Sequence, residues 1–126
     1  MGFLSGLMGN ASQVDVEQLS EELSPILANN ETVELGFKLI RDQFIFTNKR
    51  LILIDKQGIT GSKVEYHSIP YKAITHFKIE SAGHFDLDSD LKIYISGQDT
   101  PISRELRKGD DIVAIQKTLA NCLFAS

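Results

Sequence analysis

Three groups of residues in this 126-residue chain have types and spacings that bear on chemistry. The first is the acidic run Asp86-Leu87-Asp88-Ser89-Asp90. Alternate aspartates open an EF-hand calcium loop, which also needs Gly at its sixth position and Glu at its twelfth. Counted from Asp86, those places hold Leu91 and Gly97, so the pattern fails. Aspartates also close turns by bonding their own backbone, and that is the simpler reading. The second group is His67, His76 and His84, whose separations match no metal-ligand spacing. The third is basic. Lys56 and Lys63 flank a loop holding Gly58 and Gly61, whose backbone N–H groups are of the kind that cradle an anion. With Lys49 and Arg50 they form a candidate site for an anion or a lipid headgroup. The rival reading is a hairpin connection whose glycines serve turn geometry.

Nothing else in the chain has the form of a catalytic apparatus. There is no nucleophile elbow and no Walker or dinucleotide glycine fingerprint. Cys122, the single cysteine, sits among leucines and reads as a small hydrophobe. The expectation is therefore a non-enzyme with no cofactor and no metal. One cysteine excludes an internal disulfide framework. No apolar run reaches a membrane-spanning length, and Met1 to Met8 lacks the basic start of a signal peptide, so a cytoplasmic protein is expected.

The net charge is −4, unevenly spread. Residues 15–34 hold six acids and no base, residues 38–78 are net +5, and residues 80–99 are net −4. An acidic chain neutralises phosphates poorly, so nucleic acid is not an expected partner. Complementary blocks on one chain suit association between identical subunits, and the plainer reading is solvated faces.

Elements must place these groups. Residues 1–14 open with a Gly-rich stretch whose large side chains are Phe3, Leu4, Leu7 and Met8; a flexible or docking segment is expected. Asp15 then caps a helix over about 15–28, with Gln18 completing a pattern like a capping box. Its apolar face includes Val16, Leu19 and Leu23, and Ser24-Pro25 should break it. From Val33 the period changes to two. Val33, Leu35, Phe37 and Leu39 mark a first strand, with further strands at 43–47, 50–55, 64–69, 73–80, 91–96 and 101–106. Pro70 and Pro101 place strand ends or edges. A last helix, about 110–124, carries Ile112, Ile115, Leu119 and Leu123 on one face.

Seven antiparallel strands followed by one amphipathic helix is the layout of the pleckstrin-homology (PH) superfold. Longer motifs sharpen the likeness. The stretches Phe46-Thr47-Asn48-Lys49-Arg50-Leu51-Ile52-Leu53, Asp55 to Gly61, Ile69-Pro70-Tyr71 and Ala82 to Leu91, with the Gly2-Phe3-Leu4 opening, resemble the bacterial PH family over nearly the whole chain. The resemblance implies a mainly β fold with α: a PH-like split barrel spanning about 32–106, capped by the C-terminal helix, plus the N-terminal helix. It also implies a cytoplasmic location in a bacterium and ring-like homo-oligomers, and it does not imply an enzyme activity. PH domains that bind inositol phosphates carry a basic signature between their first two strands. Here that place is Ile40-Arg41-Asp42-Gln43, so the property does not carry over.

The expectation is a self-assembling scaffold or interaction module that presents a repeated surface to a protein partner. Strand edges join its subunits, and Val16, Leu19 and Leu23 pack on the outside of the barrel or on a neighbour. The alternative is an anion or lipid-headgroup module at a membrane surface, using Lys49, Arg50, Lys56 and Lys63.

Overall fold

Asp15 starts the first helix by accepting the backbone N–H of Glu17 at 2.9 Å, with extended dihedrals of its own. This helix, α1, spans Val16–Leu23. Gln18 does not reach back to complete a capping box; its amide donates forward to Glu22, one turn on. Pro25 converts the next residues, Ser24–Ile26, into a separate 3-10 turn, as an N-terminal proline with no N–H to offer permits. The computed structural model describes residues 15–39, 42–57, 62–81, 88–107 and 112–124. The segment 1–14, Gly58, Gly61, His84, Asp86 and the start expected for the last helix lie outside them.

The seven expected strands form, as two antiparallel sheets. The first sheet has the order β1-β2-β3-β4, with β1 Val33–Lys38, β2 Asp42–Thr47, β3 Arg50–Gln57 and β4 Lys63–Pro70. The second has the order β5-β6-β7, with β5 Ile74–Ser81, β6 Ser89–Ile95 and β7 Ile102–Leu106. The last helix, α2, covers Ile112–Leu123. The parts are those of a PH-like fold.

In the first sheet the central strands are buried on both faces. Phe44 to Thr47 and Leu51 to Ile54 are consecutive buried residues, so neither side of the pleat meets water. Helix α1 covers one side. Leu19 and Leu23 pack there with Val33, Ile45, Ile52 and Ile54, and Val16 and Leu27 lie against the cluster. Phe37 and Phe46 meet edge-to-face on the other side, with ring centres 6.0 Å apart. Sequence alternation puts Val33 beside Phe37, but a register shift between Val33 and Leu35 sends Val33 to the helix side instead.

The second sheet has one apolar face. Leu91 and Ile93 are fully buried, and Leu106 joins them from β7. Helix α2 buries Ile112, Ile115, Thr118 and Leu119 and contacts β5 and the 3-10 turn Tyr71–Ala73. Phe124 stacks on Phe77 of β5 at 6.1 Å. β6 begins earlier than the aspartate run suggested: Ser89 is buried opposite Ser81 and Leu106, so the strand alternation starts there and not at Leu91. The β6–β7 turn closes with the Gln98 N–H on the Ile95 carbonyl at 3.1 Å. Gly97 takes φ +84°, a left-handed value that favours glycine.

Candidate assembly surface

A polar cluster in the first sheet is built by the Thr47-Asn48-Lys49-Arg50 hairpin and the turn that precedes β1. Asn30 adopts φ +62°, and the Asn48 side chain ties it down by donating to the Asn30 carbonyl and accepting the Thr32 N–H. That geometry points Glu31 inward, where its side chain is wholly buried. The carboxylate accepts from Ala28 N at 2.8 Å, Thr47 Oγ1 at 2.6 Å, Arg50 Nε at 2.8 Å and Arg50 Nη2 at 3.0 Å. The Arg50 hydrogen bonds, then those of Thr47 and Ala28, outweigh burial and lower its pKa to about 2.

Arg50 is therefore an internal group. Besides Glu31, it donates from Nη2 to the Ile26 carbonyl at 2.8 Å and from Nη1 to Ser68 Oγ at 2.7 Å. One guanidinium fastens the end of the α1 segment, the start of β1 and the edge strand β4. As an anion-binding residue it is already occupied, and the four expected bases do not converge. Lys49 is exposed in the hairpin turn at the start of β3, while exposed Lys56 lies near its far end. Seven residues of strand separate them by about 23 Å. Lys63 opens β4, so Lys56 and Lys63 form a pair at one end and Lys49 stands at the other.

The remaining sequence candidates fall apart in the same way. Among the described residues no three His, Cys, Asp or Glu side chains are grouped to hold a metal ion. His67 is half-buried in β4, His76 stacks on Tyr94, and Cys122 is half-buried on α2. Asp88 and Asp90 line a shallow acidic depression with Glu80 and Glu105. Of the expected interface residues, Leu19 and Leu23 are buried on the sheet of their own chain, and Val16 is half-buried beside them.

Among the described residues β4, with β1, is an edge of its sheet, and six of its eight residues are exposed. Ser68 reaches Arg50, which fixes the facing of the strand: Val64, Tyr66 and Ser68 lie on the α1 side, and buried Ile69 points the other way. Val64 is 38% and Tyr66 56% exposed. Ile26, whose carbonyl the same guanidinium holds, is 43% exposed. The edge strand thus carries an apolar shoulder, Val64 and Tyr66, on its α1 side, and Arg50 ties exposed Ile26 to the Ser68 end of the same strand.

The bacterial PH domain family matches residues 2–123, almost the entire chain. The chain belongs to that family. This bacterial PH domain is 56% identical over 121 residues to the uncharacterized protein YjqA of Bacillus subtilis, covering 95% of this chain and 97% of that one. A second B. subtilis protein, YozO, is 34% identical over 104 residues, with 82% and 89% of the two chains covered. Among solved structures, the pleckstrin homology domain from Shewanella amazonensis superposes with a TM-score of 0.86 at 61% identity, over 97% of this chain and 98% of that one. A family protein with a pleckstrin-homology domain from Shewanella loihica gives 0.77 at 60% identity, over 90% and 97%.

Asp42 and Gln43 belong to β2, paired with Asp55 and Ile54, while Ile40 and Arg41 lie outside the described residues. Among the described residues no helix is long and apolar enough to cross a membrane.

Proposed function

We propose that this bacterial PH domain is a non-enzymatic interaction module that assembles with copies of itself and presents the repeated surface to a protein partner. The edge strand β4, with Val64 and Tyr66 exposed on its α1 side, is the observation that supports it. Unpaired strand N–H and C=O groups are a template for strand addition, and exposed apolar side chains beside them add the hydrophobic part of an interface. If β4 of one copy meets a different edge on the next, the contact is heterologous, and a ring forms where the rotation between copies closes. Lys63 and Glu65 on the opposite facing of β4 limit pairing to strands of matching charge.

The test is the solution mass of the wild type and of Tyr66→Lys by light scattering at micromolar concentration. The wild type is expected well above 14.0 kDa. Tyr66→Lys is expected to weaken association about 10- to 100-fold, from about 1.5–3 kcal/mol of lost apolar burial. A wild-type monomer of 14.0 kDa refutes the proposal. The lipid-headgroup alternative is left with Lys56 and Lys63 as its paired bases. Flotation with anionic vesicles separates the two readings: salt-sensitive flotation lost in a Lys56→Glu/Lys63→Glu variant supports the alternative.

A further inference from the structure

The second sheet has an outward face that the β4 reading does not use. Its strand register sets three rows across the strands. His76 lies opposite Tyr94, Lys78 opposite Lys92, and Glu80 opposite Asp90, which in turn faces Glu105. Successive rows are two residues apart, about 6.7 Å. The face therefore reads aromatic, basic, acidic along the strand direction.

These rows are ordered; His76, Lys78, Glu80, Asp90 and Glu105 are exposed, and Lys92 and Tyr94 are half-buried. His76 stacks on Tyr94 at 4.2 Å with rings 9° from parallel, and Lys78 Nζ sits 5.7 Å from the Tyr94 ring centre. Lys92 and Lys78 both bridge Glu80, at 3.2 and 3.5 Å. Tyr94, then Glu80, raises the Lys78 pKa, and Lys92, then Lys78, lowers that of Glu80, so the charged forms of Lys78 and Glu80 are both favoured. Each ammonium has three donors, and Glu80 is shared between the two, so both lysines keep capacity for another carboxylate. Side-chain exposures are 52% for Lys78, 32% for Lys92 and 57% for Glu105, whose carboxylate also meets Arg107 at 3.5 Å and keeps its other oxygen for a second cation.

We propose that this face docks on the same face of a second copy, about a two-fold axis lying in the interface and running across the strands. That axis reverses the row order, so the basic row of each copy lies over the acidic row of the other. A two-fold interface must be self-complementary, and adjacent rows of opposite sign have that property. A uniformly acidic or basic partner meets like charge on one of the rows, which is why a second copy fits better. The area is small. Three strands of about five residues span roughly 250 Å² per copy, against about 800 Å² per partner in a stable complex. The contact is thus too small to stand alone. It rests on the assembly reading above, in which copies already joined through β4 repeat it and gain effective concentration.

The test is sedimentation velocity of the full chain at low salt and at about 1 M salt, where the screening length shrinks to about 3 Å. High salt is expected to halve the mass of the assembly by separating the facing copies. Lys78→Glu/Lys92→Glu, with both rows acidic, and Asp90→Lys/Glu105→Lys, with both predominantly basic, should each show the high-salt mass at low salt. The expected weakening is about 30-fold, from four lysine contacts per symmetric pair at about 0.5 kcal/mol each. An equimolar mixture of the two variants should regain the low-salt mass. Circular dichroism must show both variants folded; if a double reversal unfolds, Lys92→Glu with Glu105→Lys carries the same mixing test. Variants that keep the wild-type salt response, or folded variants whose mixture stays separated, overturn the proposal. A wild-type assembly whose mass ignores salt overturns this face and leaves the β4 reading standing. A wild-type monomer at both salts overturns both.

Discussion

Replacing Glu31 by Gln keeps the shape of the side chain and removes its charge. The carboxylate is wholly buried and receives two bonds from Arg50, one from Thr47 and one from Ala28. Its pKa falls from 4.5 to about 2 on folding. A drop of about 2.5 units corresponds to about 3 kcal/mol of stability at neutral pH. The sign follows from proton counting. Between the two pKa values the unfolded chain binds the proton and the folded chain does not, so stability rises with pH. The contribution is complete above about pH 5, about half gone near pH 3.3 and nearly absent at about pH 2. Glu31→Gln should therefore be about 3 kcal/mol less stable than wild type at pH 7, also the lower end expected for breaking a buried pair. Near pH 2 the gap between them should close by about that amount. Urea denaturation followed by circular dichroism, at equal protein concentration and at several pH values, measures the gap directly. A gap that stays constant from pH 7 to pH 2 would refute the idea that the ionised carboxylate holds this corner together.

Other substitutions separate the remaining contributions. Thr47→Val preserves volume but leaves the N–H groups of Lys49 and Arg50 and one Glu31 oxygen without their hydroxyl partner; a loss of about 2–3 kcal/mol is expected in chemical denaturation. Leu19→Ala opens a cavity between α1 and the first sheet and should cost about 2–5 kcal/mol, with any change in association following from stability. Asn30 sits at φ +62°, so Asn30→Ala should lower stability by about 1 kcal/mol while Asn30→Gly changes it by a few tenths.

Periodicity was enough for the elements whose packing is one-sided. Ile112, Ile115 and Leu119 on α2, and Leu91 and Ile93 on β6, are buried where a 3.6 or 2.0 repeat places them. The seat of α1 was present but in a different form. Phe44-Ile45-Phe46 and Leu51-Ile52-Leu53-Ile54 are unbroken apolar runs, the mark of strands covered on both faces, and the second cover is the Leu19–Leu23 face. The shift at Val33 has no such mark, because a bulge is set by the pairing of two strands and not by one residue type. The basic set failed for a geometric reason. Lys49 and Lys56 are close in sequence, but a strand turns seven residues into the length of a small sheet.

Glu31 was hidden by its own neighbourhood. It belongs to an acidic stretch with no base, and such a stretch reads as a solvated face or as half of an intermolecular contact. Its partner, Arg50, lies 19 residues away in the basic stretch. The two blocks do complement each other, but at this pair they do so inside one chain. The consequence reaches the edge strand. Because Arg50 neutralises Glu31 with Nε and Nη2, Nη1 remains to hold Ser68, which lies on the same side of β4 as Val64 and Tyr66. A buried charge pair with a third partner sets direction as well as stability, since the planar guanidinium fixes the angles between its donors. The apolar shoulder beside β4 is thus a consequence of the same corner that anchors α1.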